Sequence, residues 1–486
     1  MSIYRLLMLP ALVLAVQNLA AGPKEPLSPH QDSMRKVWLQ RSFKVADRCV
    51  NIYDSRHPKI ENLWSVDAHP AFDSILTPEK EAELLAEVHR RWDSLGEDSL
   101  PTCDILWTLR PYIDFLRYED PHYRLLPKYV YTNLDYKNSK EFARQAVAPP
   151  FDYLYINDTV IVHTSLDPKL QRGDMITAIN GKPTDWYLRY CCGDRYNDAY
   201  TLMYQCHFSH LVPSYEIEFV RGEESHKATI AGRKLNELRE LSLAYATERN
   251  IRTVGNCGYI AIPEFFPFNS RLIKIVHKAI LDFRKRGIRD VILDLRLNGG
   301  GNGDRFDELM SIFIDKPVVK YCKGQRVRVS DATLGWYDFL TEDMKGRTVD
   351  MPSDKYASEF TTNPKMYVEG MKYYVMMSRN TGSVAASFCN MMQYNDAGLL
   401  VGEPLLHNAL KYGETVDGRN FLPLQLEETA VSTVEIDEYT CAEDGVLKPD
   451  IAIPYVAADF MSGRDAVLDK LVAMIHDSHD TALVTH

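Results

Sequence analysis

Two stretches of this sequence carry residues whose types and order could do chemistry. In the first, "VILDLRLNGGGNGDRF" (291–306), an apolar run leads into three consecutive glycines. Backbone N–H groups bare of side chains, placed after a strand, can hold an anion, including one that exists only in a transition state. A nucleotide phosphate is the obvious rival. A dinucleotide fingerprint would need its third glycine at 304, where Asp304 sets a negative charge, and no G-K-[ST] follows to make a phosphate loop. In the second stretch, "NTGSVAASFCNMM" (380–392), Ser383 follows Gly382 at the start of a helical pattern. A hydroxyl there has backbone donors and a positive helix end beside it, although the same position suits a plain capping serine. The two junctions together favour nucleophilic chemistry over capping.

These groups need elements to place them. "KEAELLAEVHRRWDSL" puts Leu84, Leu85, Val88 and Trp92 on one stripe, and a second helical run, "CDILWTLRPYIDFLRY", ends at "EDPHYRLLP", where Pro121 breaks the pattern and delivers His122. From about 150 to 232 the texture is that of short strands, with Asn180-Gly181 and Arg221-Gly222 as tight turns and a period of two in Tyr215, Ile217 and Phe219. The polar stretch 232–250 is a candidate connector. Strands and helices then alternate: "GYIAIPEF", a helix capped by Ser270 with Leu272, Val276, Ala279 and Phe283 on its buried face and Gly287 at its end, and "DVILDL". A strand over 372–378 precedes the Ser383 helix, whose apolar face is Val384, Phe388, Met391 and Met392, and strand "GLLVG" follows. Val467, Leu468, Leu471 and Ile475 mark a closing helix. Asp294 and Arg296, flanking the glycine loop, fit loop support better than catalysis, because a carboxylate at a strand end is usually tied to backbone N–H groups.

Composition narrows the partners. The 486 residues carry a formal charge of -11, with 45% hydrophobic and 25% charged residues. That is an ordinary globular balance, and the acidic excess argues against nucleic acid or an anionic membrane as partner. Arg5, the apolar run "LLMLPALVLAV" and "QNLAAG" fit a secretory signal cleaved near Ala21, too short to span a bilayer. A periplasmic or extracellular location follows as an expectation. The nine cysteines show no even framework. "CC" at 191–192 with Cys206, His207 and His210 could be read as zinc ligands, but no C-x-x-C knuckle is present, and neither metal nor organic cofactor is expected. No cysteine sits in a pattern that calls for thiol catalysis.

Two resemblances sharpen this reading. "QRGDMITAINGKPTDWYL" resembles the pGD-x-I-x-x-(I/V)-NG segment of PDZ domains, which bind extended peptide by adding it to a sheet edge. "VILDLRLNGGG", "NTGSVAASFCNMMQYNDAGLLVGEP" and "EDGVLKPDIAIP" resemble, in order and spacing, the motifs of the tail-specific or C-terminal processing serine protease family. The implied fold class is α/β within a multidomain α+β chain. It has a ClpP/crotonase-like catalytic core over 245–457, an N-terminal helical domain over 22–145, a PDZ-like β domain over 146–235 and a C-terminal helix and tail over 458–486, after the signal at 1–21.

By that resemblance Ser383 is the nucleophile, and the backbone N–H groups of Gly300 and Val384 hold the oxyanion. The family's common lysine base would stand at Asn408, which cannot take a proton, and its glutamate after the serine falls on Ala386. The tricorn-core branch uses instead a histidine from the helical domain and a glutamate of the G-V-x-PD segment, which here are His122 and Glu443. Lys411, three residues beyond the expected lysine, is the rival base. The implied activity is a serine endopeptidase acting on unfolded or C-terminal polypeptide segments. A non-catalytic peptide- or lipophile-binding protein on the same fold is the alternative, and the zinc-peptidase reading lacks any H-E-x-x-H. Substrate identity and oligomeric state are not written in the sequence.

Overall fold

A computed structural model describes residues 68–95, 102–127, 147–185, 213–234, 237, 246–265, 270–353, 359–416, 420–421, 426–429 and 431–484. The expected signal, the cysteines at 49, 191, 192 and 206, the histidines at 207 and 210, the Trp92 side chain and most of the 232–250 connector lie outside that set.

Helices α1 (Pro78–Leu95) and α2 (Thr102–Glu119) pack on each other. Leu84 and Val88 of α1 and Tyr112, Ile113 and Leu116 of α2 are buried, as helical spacing requires. The chain leaves α2 at Asp120 and turns through Pro121 and His122.

A mostly antiparallel sheet follows in the order β1 (Phe151–Ile156), β2 (Thr159–Ser165), β3 (Met175–Ile179), β4 (Ser214–Arg221), β5 (Glu224–Ala231), with the short strand Lys182–Pro183 beside β3. Tyr215, Ile217 and Phe219 point inward from β4 and alternate with half-exposed Glu216 and Glu218, so the period of two reflects a one-sided core. Arg221 pairs with Glu224 across the β4–β5 hairpin.

The central sheet has six strands in the order β6 (Ile251–Val254), β7 (Cys257–Ala261), β8 (Asp290–Asp294), β10 (Lys372–Met377), β11 (Leu399–Gly402), β14 (Ile451–Ala452). All pairings after the β6–β7 hairpin are parallel. Such strands are covered on both faces and read as continuous apolar runs, as "VILDL" does. Helix α3 (Ser270–Lys285) covers one face with Ile273, Val276, Ala279, Ile280 and Phe283. Its chain turns away at Gly287, whose φ of +81° suits glycine and lets its N–H reach the Arg284 carbonyl. On the other face α5 (Ala466–Val484) buries Val467, Leu468, Leu471 and Ile475 with Ile292, Met376 and Val401.

A second, antiparallel sheet joins β9 (Cys322–Arg328), β13 (Val431–Glu438) and β12 (Tyr412–Val416), with the short strand Thr348–Asp350 beyond β9. Helix α4 (Val384–Tyr394) follows β10, and its residues Ala385 to Met392 are all buried. Among the described residues no helix is long and apolar enough to cross a membrane.

Candidate active site

The site forms where β8 and β10 end side by side. Parallel pairing of Asp294 with Met376 sets the two strand ends level, so the chain emerging from each meets the other. After β8, the Asn298 side chain organises the glycine bend: its Nδ2 donates to the Ile262 carbonyl at 2.9 Å and its Oδ1 accepts the Gly300 N–H at 2.9 Å. After β10, the Gly382 N–H donates to the Asn298 carbonyl at 3.1 Å. The two junctions are thereby stitched together.

Ser383 stands between them as the residue before α4, with φ +51° and ψ -132°, a conformation that costs a non-glycine residue on the order of 1–3 kcal/mol. Its hydroxyl makes no capping hydrogen bond. The capping explanation for this serine therefore fails, and a strained, unspent hydroxyl remains. Gly300 lies against it with φ +108°: a Cβ there would sit 2.5 Å from the Ser383 Cβ and 3.2 Å from Oγ. Only glycine lets the bend approach the serine this closely.

The expected oxyanion donors fare differently. Val384 opens α4, where its N–H belongs to the unpaired first turn. The Gly300 N–H is committed to Asn298, so Gly300 serves the approach rather than donation. On this bend the amide of Gly301 makes no hydrogen bond among the described residues, while its neighbours Gly300 and Asn302 exchange backbone bonds with Phe265.

His122 is mostly buried and its Nδ1 lies 2.8 Å from Asp120 Oδ1, which also accepts the His122 backbone N–H at 2.9 Å. Asp120 is fully buried, and its other oxygen lies 3.2 Å from the Nε2 of buried His69, off the hydrogen-bond axis. Burial by itself would raise the Asp120 carboxyl, but His122 foremost and His69 with it hold it well below the usual carboxylate range. An ionised Asp120 keeps a proton on His122 Nδ1 and leaves Nε2 as the basic nitrogen. That Nε2 is buried and has no hydrogen-bond partner among the described residues, so its bond to the serine hydroxyl is not made in this structure. Glu443, expected to orient the imidazole, is exposed instead, and Asp120 occupies that role on Nδ1. The signal was present in "EDPH", where a carboxylate precedes the histidine by two.

Lys411 is 38% exposed and bonds Glu119 Oε1 at 2.8 Å. It is a paired surface cation rather than a desolvated amine poised to take a proton. Asn408, at the position of the absent lysine, donates from Nδ2 to the Glu119 carbonyl at 3.1 Å. Asp294 and Arg296 are support, as expected. Arg296 bonds Asp294 through Nε and a terminal nitrogen at 2.9 and 2.5 Å and Asp465, just before α5, at 2.8 and 2.6 Å, while the Tyr259 hydroxyl donates to Asp294. Sequence reasoning missed the polar cluster behind α4. There the buried Glu438 accepts hydrogen bonds from Ser387 and, at 2.8 Å, from Asn390 Nδ2.

Known proteins resemble this chain over the catalytic region and in fold. Residues 256–451 match peptidase family S41. A probable CtpA-like serine protease of Staphylococcus epidermidis is 27% identical over 194 residues, which are 38% of this chain and 37% of that protein. One of Staphylococcus aureus is 30% identical over 115 residues, 22% of this chain and 23% of its own length. The match thus spans little more than a third of the curated relatives. Mature CPAF superposes with a TM-score of 0.57 at 15% identity, over 89% of this chain and 97% of that one, and its complex with lactacystin with 0.57 at 14%, over 89% and 98%, so the fold is similar to theirs. The family likeness of this chain is thus to peptidase family S41, over residues 256–451.

Proposed function

We propose that this chain is a serine endopeptidase that hydrolyses peptide bonds in unfolded or C-terminal polypeptide segments through an acyl-enzyme on Ser383. The observation that carries the reading is Ser383 itself, a strained residue at a helix start whose hydroxyl caps nothing and faces a glycine bend. In this mechanism His122 Nε2 takes the Oγ proton as the oxygen attacks the scissile carbonyl, and passes it to the leaving amine. Asp120 holds the ring tautomer and stabilises the imidazolium. The N–H groups of Val384 and Gly301 hold the oxyanion, where one such donor is typically worth about a hundred- to a thousand-fold in rate. Water then cleaves the acyl-enzyme by the same proton route. Substrate binding has to bring Nε2 onto Oγ, a tightening common to such sites.

The β1–β5 sheet, in this reading, is a PDZ-like domain that takes extended polypeptide at its edge. The helical segment before it forms an N-terminal domain that carries the base, and residues 1–21 are an export signal removed outside the cytoplasm.

A fluorophosphonate probe with peptide mapping tests the chemistry. Labelling is expected at Ser383, absent in Ser383→Ala, nearly lost in His122→Ala and slowed but present in Lys411→Ala. Labelling of His122→Ala with none in Lys411→Ala would reassign the base. No labelling of the native chain, together with no digestion of casein, would leave the fold to a binding role.

A further inference from the structure

A pocket of about 280 Å³ opens between the two junctions, and its composition selects a substrate. Its walls are the residues just beyond each: Gly303 and Phe306 after the glycine bend, Val384 and Ser387 on the first turn of α4. Ser387 sits one turn from the nucleophile, its N–H donating to the Ser383 carbonyl at 3.0 Å. An attacked carbonyl whose oxygen points at the amides of these junctions carries its own Cα alongside them, so the side chain on that Cα falls into this space.

Three features fix what fits. Phe306, Tyr321 and Phe360 form aromatic walls, with ring centroids 5.9 Å apart for Phe306–Tyr321 and 6.3 Å for Phe306–Phe360. At the lip stand Asp307 and Glu359, both exposed, and among the described residues no lysine or arginine lines the pocket. At the floor the hydroxyls of Ser387 and Tyr321 hydrogen-bond toward the buried carboxylate of Glu438, so the oxygens they present to an occupant act as acceptors. Aromatic faces, carboxylates at the mouth and acceptors at the base suit a long apolar stem ending in a cationic donor. An acidic side chain would meet the Asp307 and Glu359 carboxylates and, among the described residues, no cation.

We propose that this pocket is the subsite for the residue whose carbonyl is attacked, and that it takes lysine or arginine. The proposal rests on Ser383 being the nucleophile. Burial pushes Glu438 up to about 7, and a bound cation is what would draw it into its ionised form.

The test uses the full chain and a peptide series identical except at that residue, carrying Lys, Arg, Met, Phe or Asp. Lys and Arg peptides are expected to show kcat/KM roughly tenfold or more above Met, with Asp uncleaved. In Glu359→Lys, an exposed change, the Lys-to-Met ratio is expected to fall by roughly tenfold, and Glu438→Gln should lower the same ratio. Met or Phe equal to or better than Lys, or no discrimination in a chain that the fluorophosphonate labels at Ser383, would overturn the pocket assignment while leaving the peptidase reading standing. No labelling and no cleavage of any peptide would overturn both.

Discussion

Asp120 is the residue on which the proposed proton route turns. Its Oδ1 receives both the ring Nδ1 and the backbone N–H of His122, which fixes the imidazole's rotation as well as its tautomer. Its Oδ2 faces His69, whose Nδ1 accepts the Ala71 N–H at 3.1 Å and whose proton must therefore sit on Nε2, toward the carboxylate. Stacking on Phe72 at 3.6 Å holds the His69 ring in place. Asp120→Asn would offer an N–H2 to His122 Nδ1, move the ring proton to Nε2 and remove the base. The expected loss in kcat/KM for peptide hydrolysis is on the order of a thousand- to ten-thousand-fold, by analogy with triads so altered. Glu443→Gln, at an exposed position, should stay within roughly twofold of the native rate. The reverse pattern, a tolerant Asp120 and an essential Glu443, would restore the glutamate as the orienting group. Asp120 was legible in "EDPH" as a carboxylate two residues before the histidine. His69 was not, because it reaches that carboxylate from 51 positions upstream through packing, and no local pattern marks such a contact.

At the level of elements, periodicity carried the reading well. The faces expected for α3, α4 and α5 are buried except at Leu272 and Val384, which are partly buried against the same core, because each helix must hide one stripe against a sheet whose strands are already apolar. What periodicity could not show is how α4 meets β13. Glu438 ends β13 within reach of Ser387 and Asn390 on α4, an acid walled off from water with no cation beside it among the described residues. Burial first of all pushes its carboxyl up to about 7, against the lowering pull of Ser387, Asn390 and Tyr321. A carboxyl raised in the fold stabilises it fully at pH below its ordinary value near 4.5, and that stabilisation is lost as pH rises through about 7. The native chain should therefore lose Tm between pH 5 and pH 8 faster than Glu438→Gln, whose neutral amide has no such proton to lose. Scanning calorimetry across that range checks it. Parallel Tm curves would mean that the fold does not raise the Glu438 carboxyl and that its ionisation leaves stability unchanged.

Across the whole molecule, the proposed base and nucleophile come from distant parts of the chain, so the proposed activity depends on how those parts are held together. Ser383 rides on the central sheet, while His122 leaves the end of α2, and Glu119 is the rivet between them. Its carbonyl accepts from Asn408 Nδ2, and its carboxylate accepts from Lys411 Nζ at 2.8 Å and from the Tyr412 hydroxyl. Burial opposes ionisation of Glu119, yet Lys411 and Tyr412 together bring its carboxyl below the ordinary value, as a docked ion pair would. The segment where the resemblance would put a lysine base here holds, through Asn408 and Lys411, the helix that leads to His122. This yields a test that a catalytic lysine could not pass. Glu119→Gln and Lys411→Met should each lower kcat more than they raise KM, because they loosen the base without touching substrate. Combined, they should cost little more than either alone, since both cut the same link. Were Lys411 the base, Lys411→Met would abolish turnover in either background. If instead the two losses simply multiply, Glu119 and Lys411 act separately and the helical segment is held by its buried contacts, with His69, Phe72, Tyr123 and Tyr412 carrying the docking.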